Sequence, residues 1–306
     1  LKKMDFSTLS AQFLEIQNPV LLQEGIQFLE FEGAKIAFDY QPAKEDVQNI
    51  LILVNGYQRT RLDFRALRKK LEKSLPNTAT IALDNRFCGQ TIVYPPQNEL
   101  LTVEQMAKDV AVLAYFFCQK LGLNEFSVLG ISMGGMIVQT LAANNSSVKN
   151  LFLISTTSGG IGRTWPEHMN PTNGLTYVNH YENLESTKKH MQKYFGSKFL
   201  TTSPLLFEMM CKTMVKAKAE ESFEHSRDGE IQFYASSAYD GVGQLSNINA
   251  KTLIVTGDED KIIPLENSTF LSNNIRNAKL ITYSEVGHLI LIEEPEKFAQ
   301  DISLFF

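Results

Sequence analysis

The chain has 306 residues, a formal net charge of −5, 43% hydrophobic residues and 21% charged residues. That length and apolar content suffice for one large domain, or for a core with a smaller unit attached. The acidic balance argues against a nucleic-acid or anionic-membrane partner, since either needs a basic face.

In chain order, Phe6, Leu9, Phe13, Leu14 and Ile16 recur at roughly helical spacing and predict a short packed helix. Gly25–Glu30 and Ala34–Tyr40 predict two strands joined by a turn at Glu32-Gly33. Asn49–Val54 is a short apolar run, the pattern of a strand covered on both faces. Leu62–Ser74 has helical spacing and ends before Pro76. Thr78–Leu83 predicts a strand. Thr102–Leu121 predicts a long helix, with Thr102 as N-cap and Gly122 as the stop. Phe126–Ile131 predicts a strand, Gly134–Asn144 a helix and Leu151–Ser155 a strand.

From about Ser158 to Gly243 the rhythm changes. The stretch is rich in Tyr, His, Met and Lys and holds no apolar strand run. It reads as several helices. The strand-helix alternation then returns with a strand at Thr252–Thr256, a helix at Glu266–Ile275, a strand at Lys279–Tyr283 and a helix at Pro295–Phe305. The fold class is therefore α/β: a mostly parallel sheet with helices on both faces. Residues 1–158 and 244–306 form the core, and residues 159–243 form a helical lid over the strand ends, where sites lie in open parallel sheets.

The three cysteines, Cys88, Cys118 and Cys211, show no CxxC spacing. They predict neither a disulfide framework nor a zinc site, and point to a reducing, cytoplasmic location. Cys118 lies in an apolar run and is expected to be buried; Cys88 lies in a loop and is expected to be more exposed. No apolar stretch reaches the roughly 20 residues of a membrane span. Leu1–Phe6 is followed by no signal-like apolar segment. Residue 1 is Leu rather than Met, so an upstream segment is one expectation.

The chemistry begins at Gly130-Ile131-Ser132-Met133-Gly134, a G-x-S-x-G pattern between a predicted strand and a predicted helix. A serine there sits on a tight turn, so its flanking positions must be small. The turn lifts Oγ clear of the sheet and aims the helix N-terminus at the reacting centre. A serine also needs a base, and the base needs an anion to hold its tautomer. Glu285-Val286-Gly287-His288 follows the strand at Lys279–Tyr283, and Gly257-Asp258-Glu259-Asp260 follows the strand at Thr252–Thr256. Both groups thus fall at the same sheet edge as Ser132, in the chain order Ser, Asp, His. Asp258 and Asp260 are both candidates for the acid, and Asp260 is favoured. His168, His180, His190 and His225 lie in the inserted block without metal-ligand spacing and are read as non-catalytic. Asn55-Gly56-Tyr57 follows a strand end and suits an oxyanion loop, with Tyr57 and Met133 as backbone N–H donors.

These residues resemble the α/β-hydrolase superfamily, and within it the esterase and C–C hydrolase branches with small lids. Five segments carry the likeness in order: LILVNGYQ, ALDNRFCGQT, VLGISMGGM, LIVTGDEDKIIP and VGHLILIEEPEKF. The resemblance implies an eight-stranded sheet with the lid inserted after the sixth strand. It implies Ser132 as nucleophile, Asp260 rather than Asp258 as acid, His288 as base, Tyr57 and Met133 as oxyanion donors, and no metal or organic cofactor. The chain departs from the family at Asn55-Gly56, where His-Gly is usual, and at Phe87-Cys88, where a Gly-His pair is common. The first departure bears on the side-chain hydrogen bonds of the oxyanion loop, the second on the shape of the loop beside the pocket.

The expected reaction is cleavage of an ester or thioester through an acyl-serine. Dehalogenation and epoxide opening use an Asp nucleophile in this fold, so Ser132 argues against both. C–C bond hydrolysis and acyl transfer fit the same triad. A ligand-binding protein without catalysis, or a scaffold that uses its lid, are the alternatives from other classes. Trp165, Met169, Tyr177, Tyr181, Tyr194, Phe195, Phe199, Leu205, Phe207, Met209 and Met210 are expected mainly to pack the lid on the core. Some should face the pocket, so a hydrophobic small-molecule acyl substrate is expected. Lys188-Lys189 and Lys216-Ala217-Lys218 read as solvated faces, and no motif identifies a protein partner.

Overall fold

The computed structural model describes residues 24–94, 100–169, 175–220 and 226–306. The helix expected at Phe6–Ile16 and His225 lie outside them. The chain opens with a hairpin of β1 (Gly25–Phe31) and β2 (Ala34–Gln41), turned at Glu32 and Gly33, both at positive φ. β3 (Asn49–Val54) follows, then one 3-10 turn at Arg61–Phe64, α1 (Arg65–Ser74) and β4 (Thr78–Leu83). A two-residue strand, β5 (Ile92–Val93), precedes α2 (Val103–Leu121). Then come β6 (Phe126–Ile131), α3 (Met133–Asn144) and β7 (Val148–Ile154). The insert carries α4 (Leu184–Met191), α5 (Ser197–Thr202), α6 (Pro204–Ala219) and α7 (Asp228–Ser237). The chain closes with β8 (Lys251–Gly257), α8 (Leu265–Asn274), β9 (Ala278–Tyr283), α9 (Ile290–Glu293) and α10 (Pro295–Phe305).

The sheet runs β1-β2-β4-β3-β6-β7-β8-β9. β1, β2 and β4 pair antiparallel; every later pair along the path is parallel. The path has eight strands, and the insert follows β7, the sixth of them in chain order. The ninth strand, β5, pairs only with β2 and was not expected from the sequence. Two residues are too few to show a period.

Alternation within the apolar strands builds two cores. Ile50, Ile52 and Val54 of β3 face Val110, Phe117, Ile137 and Leu141 of α2 and α3. Leu51 and Leu53 face the opposite side, with Leu67 and Leu71 of α1 and Phe298 and Ile302 of α10. Each such side chain contributes about 1.5–3 kcal/mol by leaving water, which is why both faces of these strands are apolar. α2 begins as expected, with Thr102 Oγ1 accepting from Gln105 N–H at 3.1 Å, and stops at Gly122 with φ +68°.

The insert has its own small cluster of Met191, Phe195, Phe199, Phe207 and Cys211, with the Phe195 and Phe199 rings stacked at 4.5 Å. Leu205 and Met209, expected to pack, instead stand 85% and 58% exposed. Helical spacing puts them on the face of α6 opposite Phe207 and Cys211, which take the only buried stripe. Cys118 is buried as expected. Cys88 is buried too, contrary to expectation: Sγ lies 3.5 Å from Arg59 O, and burial pushes the thiol up to about 12. Among the described residues, no helix is long and apolar enough to cross a membrane.

Candidate active site

Ser132 joins β6 to α3 with φ +55° and ψ −120°. A non-glycine residue there is strained, so its surroundings must hold it. Ser132 N–H donates to Ile154 O at 2.9 Å, and Ser132 O accepts from Thr156 Oγ1 at 2.7 Å. A Cβ on Gly130 would overlap Gly134 O, and one on Gly134 would overlap Val54 O. The two glycines of the motif are therefore required by backbone contact. Ser132 remains half-buried while its neighbours on both sides are buried.

The loop after β3 runs against this turn. A Cβ on Gly56 would lie 3.0 Å from Ser132 Cβ and 3.6 Å from Ser132 Oγ. Asn55 secures the loop: Oδ1 accepts from Gly56 N–H at 2.8 Å, while Nδ2 donates to Thr60 O at 2.8 Å and Asp63 Oδ2 at 2.9 Å. Its carbonyl accepts from Asn85 Nδ2 at 2.9 Å. Asn55 thus holds the loop by side-chain bonds of its own. Among the described residues, neither Tyr57 N–H nor Met133 N–H has a hydrogen-bond partner. Met133 begins α3, where the helix dipole favours negative charge.

On the other side of the site, His288 Nδ1 and Asp260 Oδ2 are 2.8 Å apart, and both residues are buried. Asp260 Oδ1 accepts from the N–H groups of Ile262 and Ile263 at 2.9 and 2.8 Å. Its carboxylate is therefore oriented before it meets the imidazole. Asp258 serves elsewhere, its Oδ1 accepting from Glu285 N–H at 2.7 Å. The structure thus brings Asp260, and not Asp258, to His288. Among the described residues no hydrogen bond joins Ser132 Oγ to the His288 ring. Such contacts are often long without substrate and tighten when it binds.

Three further groups brace the histidine. Glu293 of α9 accepts from Gly287 N–H at 3.0 Å and from Gly196 N–H at 2.7 Å, and burial raises its carboxyl. Tyr194 O accepts from His288 N–H at 2.8 Å, and the Tyr194 ring meets the imidazole edge-on at 5.6 Å. Gly287 packs so closely that an added Cβ would lie 2.7 Å from Tyr194 O. On the serine side, the Tyr57 phenol lies beside the Tyr177 hydroxyl, with Tyr181 and Tyr194 nearby, and burial raises it. Gly229 of α7 leaves room for that pair: a Cβ there would lie 3.0 Å from Tyr177 Oη and 3.1 Å from Tyr57 Oη.

The remaining described histidines form a separate group in the insert. His180 and His190 stack at 4.0 Å. Burial, then His180, Lys193 and His168, lower His190 to about 3. Among the described residues, no group of three side chains is placed to hold a metal ion. Sequence reasoning assigned no site role to Asn85 or Glu293, and Tyr194 was expected only among the packing side chains of the insert. Asn85 and Glu293 lay inside recognised segments, ALDNRFCGQT and VGHLILIEEPEKF.

A family model described as the alpha/beta hydrolase fold matches residues 49–295. The chain belongs to this family. It is 23% identical over 282 residues to an uncharacterized hydrolase, YugF, of Bacillus subtilis (strain 168), covering 87% of this chain and 93% of that one. It is 28% identical over 190 residues to a 2-hydroxymuconate semialdehyde hydrolase of Pseudomonas putida, covering 60% and 63%. Among solved structures, Est816, described as an N-acyl homoserine lactone degrading enzyme, superimposes with a TM-score of 0.70 at 21% identity, covering 92% of this chain and 100% of that one. At that identity the likeness concerns the fold of this α/β hydrolase.

Proposed function

We propose that this α/β hydrolase is a serine hydrolase that cleaves a carboxylic ester or thioester through an acyl-Ser132 intermediate. The observation that carries the reading is the buried His288–Asp260 pair at 2.8 Å, at the sheet edge where Ser132 stands on its strained turn. His288 Nε2 takes the Ser132 proton as Oγ attacks the carbonyl carbon, and Asp260 stabilises the imidazolium. The carbonyl oxygen becomes an oxyanion facing the N–H groups of Tyr57 and Met133, each contributing about 3 kcal/mol. Collapse expels the alcohol or thiol, which takes the proton from His288. Water then attacks the acyl-enzyme by the same route and releases the acid. Residues 159–243 act as the lid over the core of 1–158 and 244–306. The insert's aromatic side chains, with Tyr57, favour an uncharged, hydrophobic acyl group.

A second reading, hydrolysis of a carbon–carbon bond by the same residues, is favoured by the relative named as a 2-hydroxymuconate semialdehyde hydrolase. One experiment addresses both. Purified protein is treated with a fluorophosphonate probe, beside Ser132→Ala and His288→Ala, and then assayed on p-nitrophenyl butyrate and on a vinylogous 1,5-diketone. Labelling lost in both variants, with turnover of the ester, is the expected result. Turnover of the diketone alone would replace ester cleavage with the second reading. Absence of labelling in folded protein would remove both.

A further inference from the structure

We infer that Gln232, on the insert helix α7, is a positioning residue for the oxyanion hole. The inference rests on the oxyanion role proposed for Tyr57. Gln58 is the next residue in the chain, and it is held at φ +52°, where a non-glycine residue needs outside support. That support comes from residue 232. Gln232 Oε1 accepts from Gln58 N–H at 2.9 Å and from Gln58 Nε2 at 3.0 Å. Gln232 Nε2 donates to Arg86 O at 2.7 Å, and Gln58 Nε2 also donates to Phe87 O at 3.1 Å.

Arg86 is a fixed post. Its guanidinium makes two 2.8 Å bonds to Asp109 of α2 and others to Phe31 O and Glu32 O. Phe87 beside it is also at positive φ. One fully buried amide therefore spans from the anchored loop after β4 to the residue that follows Tyr57. Removing it leaves the half-buried Gln58 N–H and the buried Arg86 carbonyl without their amide partner, while Gln58 Nε2 keeps only Phe87 O. A buried polar group left so costs more than a lost surface bond would. The loop then settles elsewhere, and the Tyr57 N–H moves with it. Displacement of about 1 Å at an oxyanion donor costs up to about a hundredfold in rate. Among the described residues no hydrogen bond joins Gln232 to Ser132, His288 or Asp260, so acid–base chemistry stays intact.

The test uses the full chain with p-nitrophenyl butyrate as probe. Gln232→Leu is expected to lower kcat about tenfold to a hundredfold, with KM changed less than about twofold. Gln232→Glu provides a signature that a merely structural role would not move. Its ionised carboxylate repels Arg86 O; its neutral form accepts from Gln58 and donates to Arg86 O as the amide does. Burial raises such a carboxyl, so the ratio of variant to parent kcat is expected to rise as pH falls from about 8 to about 6. Taking the ratio cancels pH effects common to variant and parent. A folded Gln232→Leu with parental kcat, or a Gln232→Glu ratio independent of pH, overturns the inference while leaving the triad reading in place. Should Gln232→Leu fail to fold, the pH ratio decides. A parent without Ser132-dependent turnover sinks the triad reading and this inference together.

Discussion

The core and the insert meet the candidate site with different kinds of contact. The core supplies Ser132, Asp260 and His288 at strand ends and fits its own backbone around them: added Cβ atoms at Gly130 and Gly134 would overlap backbone carbonyls. The insert reaches the same place through scattered polar bonds, from Tyr194 O to His288 N–H, from Gly196 N–H to Glu293, and from Gln232 to Gln58. Their interiors differ in the same way. The core buries two apolar layers against one sheet, whereas the insert closes around a cluster of Met191, Phe195, Phe199, Phe207 and Cys211. The candidate site residues thus sit where packing leaves least freedom, and the insert reaches them through bonds that single substitutions can remove.

The largest effect tests the core. Asp260→Asn is expected to lower kcat on p-nitrophenyl butyrate about ten-thousandfold with the melting temperature nearly unchanged, because the amide holds the wrong imidazole tautomer. A loss under tenfold would place the decisive chemistry outside the core. Next, Phe195→Ala empties the centre of the insert cluster, a change that costs about 3–5 kcal/mol in a packed core. Hydrogen exchange is expected to accelerate through α4 to α6 while β3 and β6 keep their protection. Equal acceleration in both regions would show that insert and core unfold as one unit, against the distinction drawn here.

The smallest effect is a pH dependence confined to the insert. His190 is lowered to about 3 in the folded protein, against an ordinary value of 6.5. Between those values the unfolded chain binds the extra proton. Stability from this group is therefore complete above about 6.5 and is lost as pH falls towards 3. His190→Phe is expected to flatten that part of the melting-temperature profile. An unchanged slope would assign the acid sensitivity to other groups.

Much of the core was legible because its signals are local. Short apolar runs such as Asn49–Val54 carry the mark of a covered strand, and the G-x-S-x-G segment lies where a strand becomes a helix. The short elements β5 and α9 hold too few residues for a period to show. Burial of Cys88 and exposure of Leu205 and Met209 depend on what packs from elsewhere in the chain. Glu293 carries no local signal of its own in the sequence, yet its carboxylate ties Gly287 to Gly196 of the insert.

The sequence by itself determined the alternation of strands and helices, the elbow at Ser132 and the order of serine, acid and histidine, since periodicity and glycine spacing act within a few residues. The tertiary structure brought Asp260, already favoured in the sequence, within 2.8 Å of His288, 28 positions away, and it alone revealed that Gln232 fastens Gln58 across 174 positions. Those contacts rest on distances between packed elements, which no local pattern encodes.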